Sequence, residues 1–146
     1  MAVRAIPEGL HSITPYLCVA GVPALIDFLK AAFDGTEQMR HLRPDGTVMH
    51  AQVRIGDSTL MIGEASGAFK AAPVSLYFYC ENTDALYARA IAAGGVSVME
   101  PADQIYGDRH GGVKDPSGNT WWIATHFEDV SNDEMARRMA VGAKSA

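Results

Sequence analysis

The chain repeats itself. Displaced by about 61 residues, Thr14-Pro15-Tyr16-Leu17-Cys18-Val19 falls on Ser75-Leu76-Tyr77-Phe78-Tyr79-Cys80, Ala24-Leu25 on Ala85-Leu86, and Ala31-Ala32 on Ala92-Ala93. After a one-residue slip Met39 falls on Met99 and His50 on His110; the first offset returns where Thr59, Met61 and Ile62 meet Thr120, Trp122 and Ile123. Identity at any one point is weak, but the matches keep their order, and a fixed internal period constrains architecture more than any single motif. A half of roughly 60 residues buries too little surface to be comfortably stable alone, and two copies sharing a core remove that difficulty.

Each half reads as the same succession of elements. Residues 13–19 alternate in the manner of a half-buried strand. From Val22 the apolar positions Val22, Leu25, Ile26, Leu29 and Phe33 have helical period, with Pro23 placed for a first turn, so a helix is expected over 22–33. Strands at 36–42, 48–55 and 58–63 follow, separated by the turn residues Pro44-Asp45-Gly46 and Gly56-Asp57. In the second half we expect a strand at 74–80, a helix from Asp84 to Ala93 capped by Thr83 and ended by Gly94-Gly95, and a strand at 96–99. A longer loop, 100–112, then leads to a short strand near Val113, the turn Asp115-Pro116-Ser117-Gly118 and a last strand at 119–125. Ser131-x-x-Glu134 has the form of a capping box and predicts a terminal helix over 132–141. The fold class is therefore α+β: two tandem βαβββ modules, 11–69 and 74–127, joined at Lys70 to Pro73 into one domain over 11–127, with a helical tail at 128–146.

Strand alternation sorts the side chains onto two faces. Leu17, Val19, Ala51, Val53, Ile55, Leu60, Ile62, Leu76, Phe78 and Ile123 fall on the face that the helices cover. Thr14, Tyr16, His50, Gln52, Arg54, Thr59, Met61, Ser75, Tyr77, Tyr79, Thr120 and Trp122 fall on the other. Aromatic, hydrogen-bonding and apolar groups mixed in this way suit a cavity in which walls bury a guest and a few polar groups orient it. A subunit interface draws on the same residue types.

Several partners are disfavoured by composition. The formal charge is −5 and the basic residues are scattered, which argues against nucleic acid. No apolar run approaches the roughly 18 residues of a membrane span. The only cysteines, Cys18 and Cys80, lack any C-x-x-C spacing, and with no signal-peptide pattern at the N-terminus a cytoplasmic protein is expected.

The duplicated pattern, Thr14-Pro15-Tyr16-Leu17 leading to Ala31-Ala32-Phe33, His50-Ala51 with Ile55-Gly56-Asp57-Ser58, and Gly107-Asp108-Arg109 followed by Asp115-Pro116-Ser117-Gly118-Asn119-x-Trp121 resemble the PhnB-like branch of the glyoxalase, bleomycin-resistance and dioxygenase superfamily, also called vicinal oxygen chelate proteins. The resemblance covers about residues 11 to 127. It implies curved mixed sheets around a cavity. In metal-dependent members it implies one divalent ion, held by a residue from the first and the last strand of each module. Laid on this chain, those positions are Thr14, Met61, Ser75 and Trp122. Hydroxyls, a thioether and an indole are poor ligands for such ions. His50 and His110 occupy equivalent places and could be drawn as a metal pair, but no carboxylate repeats beside them.

The expected site therefore has no metal, no cofactor and no assigned catalytic residue. Tyr16, Tyr77, Tyr79, Tyr106 and Trp122 would provide stacking surface, and His50, Gln52 and Met61 share their face. His50 could also move a proton. Arg109 could clamp an anionic guest, or Asp108 and Arg109 could simply pin their loop. His11, His41 and His126 read as ordinary surface or strand-end residues. The leading expectation is a homodimeric protein that binds a small aromatic or amphipathic molecule. The alternatives are a metal-dependent enzyme, either a glyoxalase-like lyase or isomerase or a ring-cleaving dioxygenase, and a purely structural interaction protein.

Overall fold

The computed structural model describes residues 2–145. The first half forms β1 (Tyr16–Val19), α1 (Val22–Phe33), β2 (Thr36–Leu42), β3 (Val48–Ile55) and β4 (Ser58–Glu64). The second forms β5 (Ser75–Tyr79), α2 (Thr83–Ala92), β6 (Val96–Asp103), β7 (Asp108–Lys114) and β8 (Thr120–His126), and α3 (Asn132–Ser145) follows. The strand orders are β1-β4-β3-β2 and β5-β8-β7-β6, so the repeat read from the sequence is also a repeat of topology. In each sheet the first strand runs parallel to the last and the other pairs are antiparallel. The α+β expectation of two mixed four-stranded sheets with a C-terminal helix holds.

Equivalent residues occupy equivalent registers. Tyr16 lies opposite Met61, and Met61 opposite Gln52. In the second sheet Tyr77 lies opposite Trp122, and Trp122 opposite Gly112. The start of each helix is secured from the end of its module's last strand. Glu64 accepts the backbone N–H groups of Gly21 at 2.7 Å and Val22 at 2.9 Å, while the hydroxyl of Thr125 accepts that of Thr83 at 3.1 Å. Gly21 itself sits in the left-handed region and offers no side chain to cap α1, so a carboxylate from β4 takes that place.

The helix-facing side of both sheets joins one core. Leu17, Val19, Ala51, Val53, Ile62 and Ile123 are buried as alternation predicts. Phe33 at the end of α1 packs edge-on against Phe78 at 5.1 Å and lies 4.9 Å from Trp121, which stitches the modules together. Arg89 of α2 adds a two-pronged bond to Asp34, whose left-handed backbone ends α1.

Three local readings need correction. The N-cap of α2 is Asn82, whose side chain accepts from Ala85 N at 3.0 Å; Thr83 is inside the helix and donates its hydroxyl to the carbonyl of Arg109. The expected loop over 100–112 is mostly strand, with only 104–107 connecting β6 to β7. Pro101 and the pair Gly111-Gly112 hid it, because proline and glycine are rare inside strands. Here Pro101 lies on the edge strand β6, and both glycines make room for rings: Tyr87 against Gly111 and Trp122 against Gly112. The terminal helix also extends to Ser145, beyond the expected end at 141.

Candidate functional site

The sheet faces turned away from the common core carry the candidate groups, and the two modules do not carry them equally. On module 1, Tyr16 stacks on His50 with ring centres 5.9 Å apart and planes at 29°. The Gln52 amide nitrogen lies 3.3 Å from His50 Nε2. Tyr16 reaches across Gly63, where an added Cβ would come within 2.5 Å of the phenolic oxygen. Met61 completes this group between Tyr16 and Gln52.

Module 2 holds a denser cluster built around Asp108. Its side chain, 5% exposed, accepts the Tyr77 hydroxyl at 2.8 Å, the Tyr79 hydroxyl at 2.9 Å and His126 Nδ1 at 2.6 Å. Burial pushes the Asp108 carboxyl upward, but the bonds from His126, Tyr77 and Tyr79 outweigh it and hold the group below its ordinary value. Burial, followed by the bond to Asp108, raises Tyr77; the bond to Asp108 comes first in raising Tyr79. His126 also bonds Asp129 at 2.7 Å, and these two carboxylates raise it. His126 is therefore no ordinary strand-end residue.

His110 links the carboxylate cluster to the aromatic wall. Its Nδ1 lies 3.1 Å from both the Tyr77 and the Tyr106 hydroxyls, and its ring stacks on Trp122 with centres 5.4 Å apart and planes at 21°. Burial pulls His110 below its ordinary value against the opposing charge of Asp108, which favours the neutral imidazole. Trp122 can lie here because position 112 is glycine: a Cβ there would meet the indole at 2.5 Å. At the equivalent position module 1 has Gln52, opposite the slimmer Met61.

The structure thus gathers Tyr77, Tyr79, Tyr106 and Trp122 in one place and Tyr16, His50, Gln52 and Met61 in another. Contacts between the modules run through the helix side, and the two groups are not closed over one another within one chain. A cleft of about 520 Å³ opens between the modules, with Leu60, Leu76, Phe78 and Trp121 among its walls and Tyr77 and Tyr79 beside them. Arg109 is on the helix side of β7, paired with Asp84 at 3.0 Å and Asp103 at 3.1 Å, which is the pinning alternative. Asp108 and His110 are the residues that sequence reasoning left out of the site. Period-two alternation along Asp108-x-His110-x-Gly112 places them on Trp122's face once the segment is read as a strand.

The donors do not fit the divalent ion that the fold family implies. Thr14 gives its hydroxyl to the carbonyl of His11, Ser75 is exposed, and Met61 and Trp122 offer a thioether and an indole. Glu64 is engaged as the α1 cap. Among the described residues no three His, Cys, Asp or Glu side chains converge as a metal site.

Comparison with known proteins agrees with this architecture. The family description "Glyoxalase/Bleomycin resistance protein/Dioxygenase superfamily" matches residues 9–123, and the chain belongs to that superfamily. An uncharacterised protein of Mycobacterium bovis is 31% identical over 151 residues, covering 96% of this chain and 97% of its own length. A PhnB protein of Bacillus cereus superposes with a TM-score of 0.64 at 22% identity over 79% of this chain and 99% of its own. TnmS3, an antibiotic binding protein of a Streptomyces species, superposes with a TM-score of 0.63 at 19% identity over 86% of this chain and 98% of its own. At these identities the two structures speak for the fold.

Proposed function

We propose that this protein binds a small aromatic or amphipathic molecule on its outward sheet faces, without a metal, and that it works as a homodimer. The observation that carries the reading is the gathering of Tyr77, Tyr79, His110 and Trp122 on one sheet face around a carboxylate whose own bonds are satisfied. Such a face offers rings for stacking and few unmet charges, which favours a planar guest over a hydrated ion. Tyr16, Tyr77 and Tyr79 are 51%, 43% and 58% exposed, and apolar surface of this kind is usually covered by a guest or by another chain. A second copy would do both if it set the first module of one chain over the second module of the other. The antibiotic-binding function of TnmS3 points the same way. No helix among the described residues is long and apolar enough to cross a membrane. The free thiols Cys18 and Cys80 fit a reducing compartment such as the cytoplasm.

Titration with anilinonaphthalene sulfonate, read by tryptophan quenching and dye emission, tests the binding. Saturable binding is expected, unchanged by a chelator, and weakened about tenfold or more by Trp122→Ala, as loss of a stacking wall implies. Nickel, zinc and manganese should bind below one ion per chain. Stoichiometric tight uptake of any of them, or dye binding indifferent to Trp122→Ala, would overturn the reading.

A further inference from the structure

The hydrogen bonds of module 2 fix where one proton sits. Ionised Asp108 can only accept, so Tyr77, Tyr79 and His126 Nδ1 must each donate to it. With its only proton committed, the Tyr77 oxygen, 3.1 Å from His110 Nδ1, offers that nitrogen only lone pairs, which favours a hydrogen on Nδ1. In that tautomer Nε2 keeps a bare lone pair. The hydroxyl of Tyr106 straddles the ring edge, 3.1 Å from Nδ1 and 3.3 Å from Nε2; with the Nδ1 hydrogen given to Tyr77, Nε2 is the nitrogen to which this half-exposed hydroxyl can donate. Module 1 differs: among the described residues no carboxylate is hydrogen-bonded to His50, and the Gln52 amide already lies against His50 Nε2.

We infer that module 2 selects hydroxylated aromatic guests: the guest lies along the Trp122 and His110 layer and gives its O–H to His110 Nε2 in place of Tyr106. Asp108 and Tyr77 act as positioning residues, setting the tautomer that makes Nε2 an acceptor. This rests on the reading of the face as a guest site and adds the chemical class of the guest. A neutral imidazole suits the role, since a protonated one would have no lone pair to offer.

Two measurements test the inference. Long-range proton–nitrogen NMR of histidine-labelled protein should show His110 as the Nδ1–H form, and Tyr77→Phe should release it toward the Nε2–H form. An Nε2–H spectrum in the unmodified protein would overturn the inference. In titrations, para-cresol should bind about tenfold more tightly than para-methylanisole, the same molecule with its donor methylated, as expected for one hydrogen bond made in a partly buried site. Tyr106→Phe should strengthen the phenol severalfold and leave the anisole unchanged. Equal affinity for the two compounds would sink the guest class while leaving the binding reading intact. Failure of both compounds, and of the naphthalene dye, would sink both.

Discussion

Replacing Asp115 should be among the most damaging single changes in the protein. The side chain is buried at the β7–β8 turn, and its Oδ1 accepts the backbone N–H groups of Ser117 at 2.9 Å and Asn119 at 3.0 Å. Its Oδ2 accepts the Asn119 side-chain amide and Trp121 Nε1, both at 2.9 Å. Asn119 in turn accepts Val74 N at 3.0 Å and so fixes the entry to β5, while Trp121 packs on Phe33 of the other module. In Asp115→Ala, three buried donors (Asn119 N, Asn119 Nδ2 and Trp121 Nε1) lose their acceptor. Each unsatisfied buried donor costs about 1–3 kcal/mol, and some rescue by water is expected, so the loss should be roughly 3–5 kcal/mol. Against a typical total of about 5–15 kcal/mol, that removes a large share of the stability. Asp115→Asn should lose less than the alanine variant, because it keeps one acceptor but turns an amide donor toward other donors. Trp121→Phe should lose about 1 kcal/mol from the network plus its packing difference. Asp57→Ala in the corresponding exposed turn of module 1 should stay within about 0.5 kcal/mol. Urea unfolding followed by tryptophan emission, with linear extrapolation, measures all four. A loss below about 1 kcal/mol in Asp115→Ala would refute the argument that this carboxylate organises the module junction.

Two further outcomes follow from the same structure. Glu64→Ala removes the carboxylate that holds Gly21 N and Val22 N, and should cost about 1 kcal/mol in thermal or urea unfolding, with Glu64→Gln recovering part of it. His126 is raised in the folded state by Asp129 and Asp108, so its contribution is complete below the unfolded value of about 6.5 and fades as pH rises through the folded one. The melting-temperature advantage of the unmodified protein over His126→Gln should therefore shrink between mildly acidic and mildly alkaline pH. An advantage that grows with pH would contradict the assignment.

The fold was largely legible because duplication supplies two independent samples of one pattern. The apolar spacing of Val22 to Phe33 and the alternation of Ala51, Val53 and Ile55 each predict burial that the structure displays. What escaped was the stretch from Pro101 to Gly112, where residues chosen for close approach carry none of the branched or aromatic signals of a strand. That one gap hid half of the candidate site, since Asp108 and His110 can be placed on Trp122's face only when β7 is recognised. The carboxylate network was hidden for a different reason: Asp108 bonds Tyr77 across 31 positions of sequence and His126 across 18, and no local pattern encodes such pairings.

The two modules show how a duplicated scaffold becomes an asymmetric site. The pair Tyr16 and His50 recurs as Tyr77 and His110, with ring separations of 5.9 Å and 5.7 Å, so this contact belongs to the shared plan. Around it the modules diverge in compensated steps. Where module 1 sets Gln52 opposite Met61, module 2 sets Gly112 opposite Trp122, exchanging side-chain volume on one strand for a flat ring on its neighbour. The exchange is coupled in module 2, where a Cβ at position 112 would meet the Trp122 ring at 2.5 Å. His110 then has an aromatic neighbour in place of a competing amide, and Asp108 can orient it through Tyr77. The chemistry of the second face thus depends on one glycine, and Gly112→Ala should displace Trp122, weaken its stacking on His110 and reduce dye binding even in a folded protein. A variant that folds and binds the dye as well as the parent would show that the ring does not depend on that cradle.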